Sequence, residues 1–386
     1  MKISTEHTRE WVEGGEEYFR RLEESIDAAK FEILFVVYIF EPDEVGHRIA
    51  SALVRASKRG VKVRLIVDAI GSINLSDSFI QTYFSKLDRF QVFRPRSFFA
   101  FGLNFFPRLH SKIIVIDREI LWIGGLNIIR DHLLGIGKEC KHDFAVRLTG
   151  PVVEEATLYA RWINRSRRLR LKQWMYRQKN LRSIKKESRD AGSSDIEFLV
   201  RDNLLQRREI YKSYLRAIRS AEREITIATA YFLPPKSFLT AIKNAAKRGV
   251  RVRLLLQGVA DVPILKMATR SLYLDLTKSG IEILEHRDYI VHEKVAVVDD
   301  SWATIGSHNL DPISVFFNLE ANVIFRNAES CRELRAIIEK SMAGQVENLS
   351  LQLNREESFY RRAINRLALS LLKLSFSLFT RPNNYN

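Results

Sequence analysis

The sequence predicts an α/β fold of two similar halves, each a mixed, largely parallel sheet flanked by helices, related by pseudo-twofold symmetry. Two pairs of look-alike segments carry this reading. SALVRASKRGVKVRLIVD, ending at Asp68, recurs as TAIKNAAKRGVRVRLLLQ, ending at Gln257. HSKIIVID, starting at His110, recurs as HEKVAVVD, starting at His292. Lys58 and Lys247 are 189 residues apart and His110 and His292 are 182 apart, so the repeat is one unit with small loop differences.

In the first half, Phe31–Phe40 is a nearly continuous apolar run rich in β-branched and aromatic residues, as expected of a buried strand. A helical stretch from about Val45 to Lys58, a glycine and the strand KVRLIVD follow. A crossover of this length favours a parallel strand pair covered by helices. The second half repeats the plan with EITIATAYFL, a helix begun near Pro235, and VRVRLLLQ. In both histidine segments the positions after the lysine alternate like a strand, an aspartate marks a turn, and a second strand leads back. His and Lys two apart on a strand share one face, so one phosphate can meet both.

Between the halves, residues 165–190 are dense in Lys and Arg and are followed by AGSSD, which places a boundary near Gly192. The basic run reads either as a contact for anionic headgroups or phosphates or as a solvated helix face and linker. The expected organisation is a first half over 1–191 with the basic linker at its end, a second half over 192–355, and an amphipathic segment over 356–386.

The chain of 386 residues is 46% hydrophobic, enough for two cores. Its formal charge of +16 points to anionic partners, either nucleic acid or an acidic lipid surface. Two cysteines, Cys140 and Cys331, form at most one bridge, which suits a reducing, cytoplasmic setting. The Glu-rich N-terminal stretch does not read as a secretory signal, and no apolar run approaches the roughly 18–20 residues that cross a bilayer.

Cleaving a phosphodiester requires a nucleophile, a proton donor for the leaving oxygen, and fixed positive charge around the phosphoryl oxygens. The candidate catalytic set is His110, Lys112 and Asp117 with His292, Lys294 and Asp299. An imidazole with an ordinary pKa of about 6.5 serves as neutral nucleophile or protonated acid near neutral pH. Lys112 and Lys294, with Asn127 and Asn309, are suited to hold the oxygens. Asp117 and Asp299 are expected to brace the turn after each strand more than to touch substrate. With no acidic cluster and no zinc-type histidine spacing, metal-independent chemistry without a cofactor is expected. A single copy of the motif would fit core histidines and surface lysines equally well, whereas two copies with the same Gly and Asn extensions do not.

The pattern His-x-Lys-x4-Asp-x6-Gly-Ser-x-Asn resembles the signature of the phospholipase D superfamily. Residues 292–309 match it in full, and the first copy departs at Gly125, where the second has Ser307. Ser307 therefore joins the candidate phosphate-binding residues in the second half alone. GGLNIIRDHL, KHDFAVRLTGPVV and SHNLDPISVFFNLEANVIF extend the resemblance to the bacterial cardiolipin synthases of the short type, which lack the paired N-terminal membrane helices of the major type. The resemblance implies phospholipase D-like halves and a covalent route. One histidine, His110, attacks phosphorus to form a phosphohistidine and His292 serves as acid and base, although near symmetry allows the reverse. It also implies that Glu320 and Asp143 reach across to orient the opposite half's histidine; an ordinary salt bridge is the competing reading.

Lipid is favoured over nucleic acid by two apolar features. Phe98–Phe106 holds five Phe in nine residues beside the predicted phosphate site. Acyl-chain contact, base stacking and core packing all remain open for it. In the C-terminal segment Ile364, Leu367, Leu371, Leu374 and Leu378 form one helical stripe opposite Arg366, Ser370, Lys373 and Ser377. That helix either lies in an anionic membrane interface or docks on the protein's own core. The expected function is phosphatidyl transfer at the cytoplasmic membrane face, joining phosphatidylglycerol to a phosphatidylglycerol or phosphatidylethanolamine donor. Hydrolysis of phospholipid or nucleic acid is the alternative, and the oligomeric state is not legible.

Overall fold

The structure, a computed structural model, describes residues 7–95, 107–133, 140–164, 195–203, 206–344, 346–349 and 359–377. The Phe98–Phe106 cluster and the basic run 165–190 lie outside the described residues. The first half contains β1 Arg9–Glu13, α1 Gly15–Asp27, β2 Glu32–Val37, α2 Glu44–Lys58, β3 Lys62–Asp68, α3 Asp77–Tyr83, β4 Arg89–Phe93, β5 Ile113–Ile116, β6 Ile120–Gly124, β7 Lys141–His142, β8 Phe144–Leu148 and α4 Val152–Ile163. The second contains β9 Ile196–Arg201, α5 Glu209–Ser220, β10 Glu224–Thr229, α6 Lys236–Lys247, β11 Arg251–Gln257, α7 Pro263–Lys278, β12 Glu282–His286, β13 Ile290–Val291, β14 Lys294–Val298, β15 Trp302–Gly306, α8 Pro312–Phe316, β16 Glu320–Phe325, α9 Ala328–Met342 and β17 Val346–Asn348, before the terminal α10 Phe359–Ser377.

The first sheet runs β1-β8-β6-β5-β2-β3-β4 and the second β9-β16-β15-β14-β10-β11-β12-β17, so the duplication holds strand for strand, with β17 added at one edge. Both sheets are mixed, but less parallel than expected. Parallel pairing is confined to β2, β3 and β4 in one half and β10, β11 and β12 in the other. The remaining ladders are antiparallel. The reason is connection length: helical crossovers feed the parallel strands, whereas each histidine segment returns through a tight hairpin.

The halves pack sheet to sheet. Leu34, Val36, Ile113 and Val115 from one sheet and Val295, Val297, Ala321 and Val323 from the other share a single central core with α4 and α9. Alternate residues Ile33, Phe35 and Val37 point outward beneath α1 and α2. Ile225, Ile227, Val252 and Leu254 do the same beneath α5 and α6. Burial on both faces explains why the central strands read as continuous apolar runs. Each fully buried Leu, Ile, Val or Phe contributes about 1.5–3 kcal/mol, so the shared core holds the halves in register.

Asp117 and Asp299 fix the hairpins that carry the histidine motifs. Asp117 accepts the backbone N–H groups of Lys30, Phe31 and Glu32 at 2.7–2.9 Å. Asp299 accepts those of Glu222, Arg223 and Glu224 at 2.8–2.9 Å. Both take positive φ, +53° and +48°, which an aspartate tolerates better than most side chains. Each carboxylate thereby ties its hairpin to the start of the neighbouring strand, β2 or β10.

A buried charged clamp joins the halves beside β7 and β13, which pair in parallel. His142 Nδ1 lies 2.6 Å from Glu293 and Nε2 lies 3.4 Å from Glu13. Tyr289 stacks on the His142 ring at 4.6 Å, and His286 stacks on Tyr289 at 3.6 Å. Burial opposes protonation of His142, but its bonds to Glu13 and Glu293 outweigh that and push its pKa up to about 9. The bond from His142, assisted by Lys340, holds Glu13 down to about 2 against partial burial.

A histidine with a raised folded pKa stabilises below its unfolded value of 6.5 and loses that contribution as pH climbs through about 9. A carboxylate with a depressed pKa stabilises above 4.5 and loses it as pH falls towards 2. The melting temperature should therefore decline between about pH 6.5 and 9, and His142→Gln should flatten that limb. A wild-type and a variant curve with the same alkaline slope would assign the decline to other groups.

Candidate active site

The chain brings the two motifs together by exchanging backbone and side-chain contacts between halves. The N–H of His110 donates to Leu319 O at 3.0 Å, and the N–H of Leu319 donates to Arg108 O at 2.8 Å. On the other side the N–H of His292 donates to His142 O at 2.9 Å. Each histidine is thus pinned by the strand entrance of the opposite half.

The side chains cross in the same way. His110 Nδ1 lies 3.0 Å from Glu320 Oε2 and 3.1 Å from Ser307 O. His292 Nδ1 lies 2.6 Å from Asp143 Oδ2. An imidazole whose Nδ1–H donates to a carboxylate keeps Nε2 as its acceptor atom and has a fixed ring orientation. Glu320 and Asp143 are almost fully buried, so removing either imidazole would strand a charge.

Lys112 donates to His110 O at 2.8 Å and lies 5.3 Å from the centre of the Tyr38 ring. Lys294 donates to Asp143 at 3.2 Å and to the carbonyl of His292. Burial pulls the Lys112 ammonium down to about 7 and also lowers Lys294, against the pull of the nearby carboxylates. Burial and the two lysines likewise depress both imidazoles, His292 more than His110. His110 responds to Lys294, and His292 to Lys112 and His110, so the groups share one electrostatic environment. Glu320, despite burial, is held at about 2 by His110, His308 and Lys112. Lowered from the ordinary value of 6.5, both imidazoles favour the neutral form at pH 7. An anionic phosphodiester between the lysines would raise their proton affinity and restore an acid.

The asparagines differ. Asn127 Oδ1 accepts the N–H of Ile39 at 3.2 Å, which leaves its NH2 as the donor end, and its own N–H donates to His132 Nε2 at 3.1 Å. The His132 ring in turn packs edge-on to His292 at 5.4 Å. Asn309 is buried with an amide oxygen that no described protein donor reaches. Ser307 has partners within its own half. Its hydroxyl donates to Glu320 Oε2 at 2.5 Å and accepts the N–H of Ala321 at 3.1 Å, so both are directed at the carboxylate strand.

That contact explains the one mismatch between the motifs. Asp143 is one methylene shorter than Glu320, and its two carboxylate oxygens occupy the space that a Cβ on Gly125 would need. The longer Glu320 leaves room for a seryl side chain and uses it as a donor. Gly125 with Asp143 and Ser307 with Glu320 are two solutions to the same packing problem.

Several supporting residues are not evident from the motifs alone. Tyr38 stands edge-on to His110 at 4.9 Å, and its counterpart Tyr231 donates to Asp261 at 2.7 Å. The recurrence of Tyr just past each apolar strand, in VVYIF and TAYFL, is the signal that could have found them. Arg201 donates to the carbonyls of Val315 and Asn318. Asn322 accepts the N–H of His308 at 3.2 Å and donates to Thr304 at 3.0 Å. Asp311 caps α8 by accepting from Ile313 and Ser314 at 2.7 and 3.0 Å, with Pro312 at the first helical position. The NLDPIS and NLEANV stretches thus form the scaffold around Asn309 and Glu320.

Two sheets of one topology, with a crossed pair of histidine–lysine motifs between them, define a two-domain phospholipase D-like protein. A family model described as "Cardiolipin synthase, PLD-like domain" matches residues 22–166 and 214–342. Cardiolipin synthase B of Escherichia coli strain K12 is 36% identical over 94% of this chain and 87% of its own length. A probable cardiolipin synthase of Bacillus subtilis is 30% identical over 94% of this chain and 70% of its own. A crystal structure of phosphatidylserine synthase from Haemophilus influenzae Rd KW20 shares the fold with a TM-score of 0.68 at 17% identity, covering 96% of this chain and 94% of that one. The chain belongs to the cardiolipin synthase family of phospholipase D-like proteins.

Gly125→Ser should push Asp143 off His292 and lower kcat by about a hundredfold or more, with the fold retained. Ser307→Gly removes one hydroxyl without adding bulk and should cost about tenfold or less. Steady-state kinetics on both variants checks the asymmetry; wild-type turnover by Gly125→Ser would refute it.

Proposed function

We propose that this protein is a phosphatidyltransferase that joins two phospholipids into cardiolipin at the crossed histidine centre. The observation that carries the reading is the pairing of each imidazole with a buried carboxylate of the other half, because it gives both rings a fixed orientation and leaves Nε2 of each as the reactive nitrogen.

In this reading Nε2 of His110 attacks the phosphorus of a phosphatidylglycerol donor. The bond from phosphorus to the headgroup oxygen breaks, and the proton on His292 Nε2 passes to that oxygen, releasing glycerol. A hydroxyl of a second phosphatidylglycerol then attacks the phosphohistidine, returning its proton to His292 as the nitrogen–phosphorus bond breaks. Lys112, Lys294, Asn127 and Asn309 hold the phosphoryl oxygens, so charge that builds in the transition state meets preset donors. Glu320 and Asp143 stabilise the imidazolium each step creates. Phosphatidylethanolamine serves as an alternative donor in the same geometry, with ethanolamine leaving. The protein acts at the membrane surface, on its cytoplasmic face; among the described residues no helix is long and apolar enough to cross a membrane.

Purified protein given labelled phosphatidylglycerol in detergent micelles, with EDTA present, should release glycerol and form cardiolipin. His110→Ala and His292→Ala should each lower turnover by about a thousandfold or more, since nucleophile and acid act as one unit. Release of phosphatidic acid alone, from either donor, would make the protein a hydrolase instead.

A further inference from the structure

The terminal helix neither floats free nor buries its leucines. Asn365 and Ala368 are buried, and α10 packs along α7. Asn365 and Arg366, near the start of α10, line a cleft of about 230 Å³ with Arg270, Leu274 and Lys278 from the second half of α7. Meanwhile Leu367 and Leu371 are 60% and 51% exposed, with Leu374 at 62% on the same stripe. Docking on the protein's own core and leaving an apolar stripe outside are both realised, by different faces of one helix.

Val259 and Ile264 are also exposed and flank the start of α7, directly after β11. The last residue of β11, Gln257, donates to Val291 O at 3.1 Å, next to His292. Exposed apolar side chains thus occur both on α10 and at the start of α7, and the strand that leads into α7 is tied to the residue before His292. Arg366 and Lys278 are exposed and supply positive charge alongside, on a chain of net charge +16. Apolar groups flanked by cations on an interfacial helix suit an anionic bilayer, in which the leucines enter the acyl boundary and the cations meet headgroups.

We infer that the α7–α10 pair is a membrane-docking platform that seats an anionic bilayer on its exposed apolar and cationic face. This rests on the reading that the substrates are bilayer lipids, and it adds which surface meets them. The partner is the bilayer surface; a second copy of the chain is the rival occupant.

The full chain, its Leu367→Glu/Leu371→Glu variant and its Lys278→Glu/Arg366→Glu variant should be compared by cosedimentation with vesicles of phosphatidylcholine holding about 30 mol% phosphatidylglycerol. The leucine variant should lose binding by tenfold or more. The charge variant should lose several-fold, and only on vesicles that contain phosphatidylglycerol. Both should keep wild-type turnover in detergent micelles, where no bilayer has to be found. Wild-type vesicle binding by the leucine variant would overturn the inference. So would a wild-type dimer that becomes monomeric in that variant while vesicle binding persists. Absence of micellar transfer by the unaltered chain would instead refute the proposed reaction and leave the vesicle result standing.

Discussion

The structure depends on two buried carboxylate–imidazole bonds that cross between its halves. Glu320 reaches His110 and Asp143 reaches His292, so neither half owns a complete site. A buried carboxylate is costly without compensation, and each takes its imidazole partner from the opposite half. The apolar core between the sheets supplies the general attraction, and the crossed pairs specify the alignment. The backbone bonds from His110 to Leu319 and from His292 to His142 repeat that exchange in the main chain. Fold and chemistry are therefore coupled: sliding one sheet past the other would leave two anions unpaired and separate the reactive nitrogens at once.

Near symmetry is broken where it matters to packing. Gly125 gives way to the Asp143 carboxylate, whereas Ser307 donates to Glu320, so the two histidines have different neighbours. The residue between each His and Lys differs as well. Ser111 bonds Tyr159 at 2.9 Å, whereas Glu293 joins the charged clamp with His142. The electrostatic surroundings differ too: beyond burial, Lys294, Lys141 and Lys112 all act on His292, whose pKa is depressed further than that of His110.

Much of this was legible in the residues. The duplicated segments announced the two-half plan, and the paired His-x-Lys spacing picked out the two imidazoles that each bond a carboxylate of the other half. Asp117 and Asp299 were readable as turn braces because an aspartate directly after a short strand is placed to collect backbone N–H groups. Other features depend on partners far apart in the chain. The parallel content was overestimated because apolar runs do not reveal strand direction, and hairpins dominate the half that carries each motif. Ser307 looked like a phosphate ligand by its position in the motif, and only the length of Glu320 shows where its hydroxyl goes. His142 and Glu293 form the clamp across 151 residues, which no local spacing announces.

The central claim is that both imidazoles address one phosphorus. It is tested most directly by titrating protein carrying 15N-labelled histidine with vanadate, a tetrahedral phosphate analogue, and following the ring nitrogens of His110 and His292 by NMR, assigned with single His→Gln variants. The account predicts that both sets of resonances move together, with a single midpoint and one equivalent of anion. Movement of only one ring, or two separate midpoints, would contradict it.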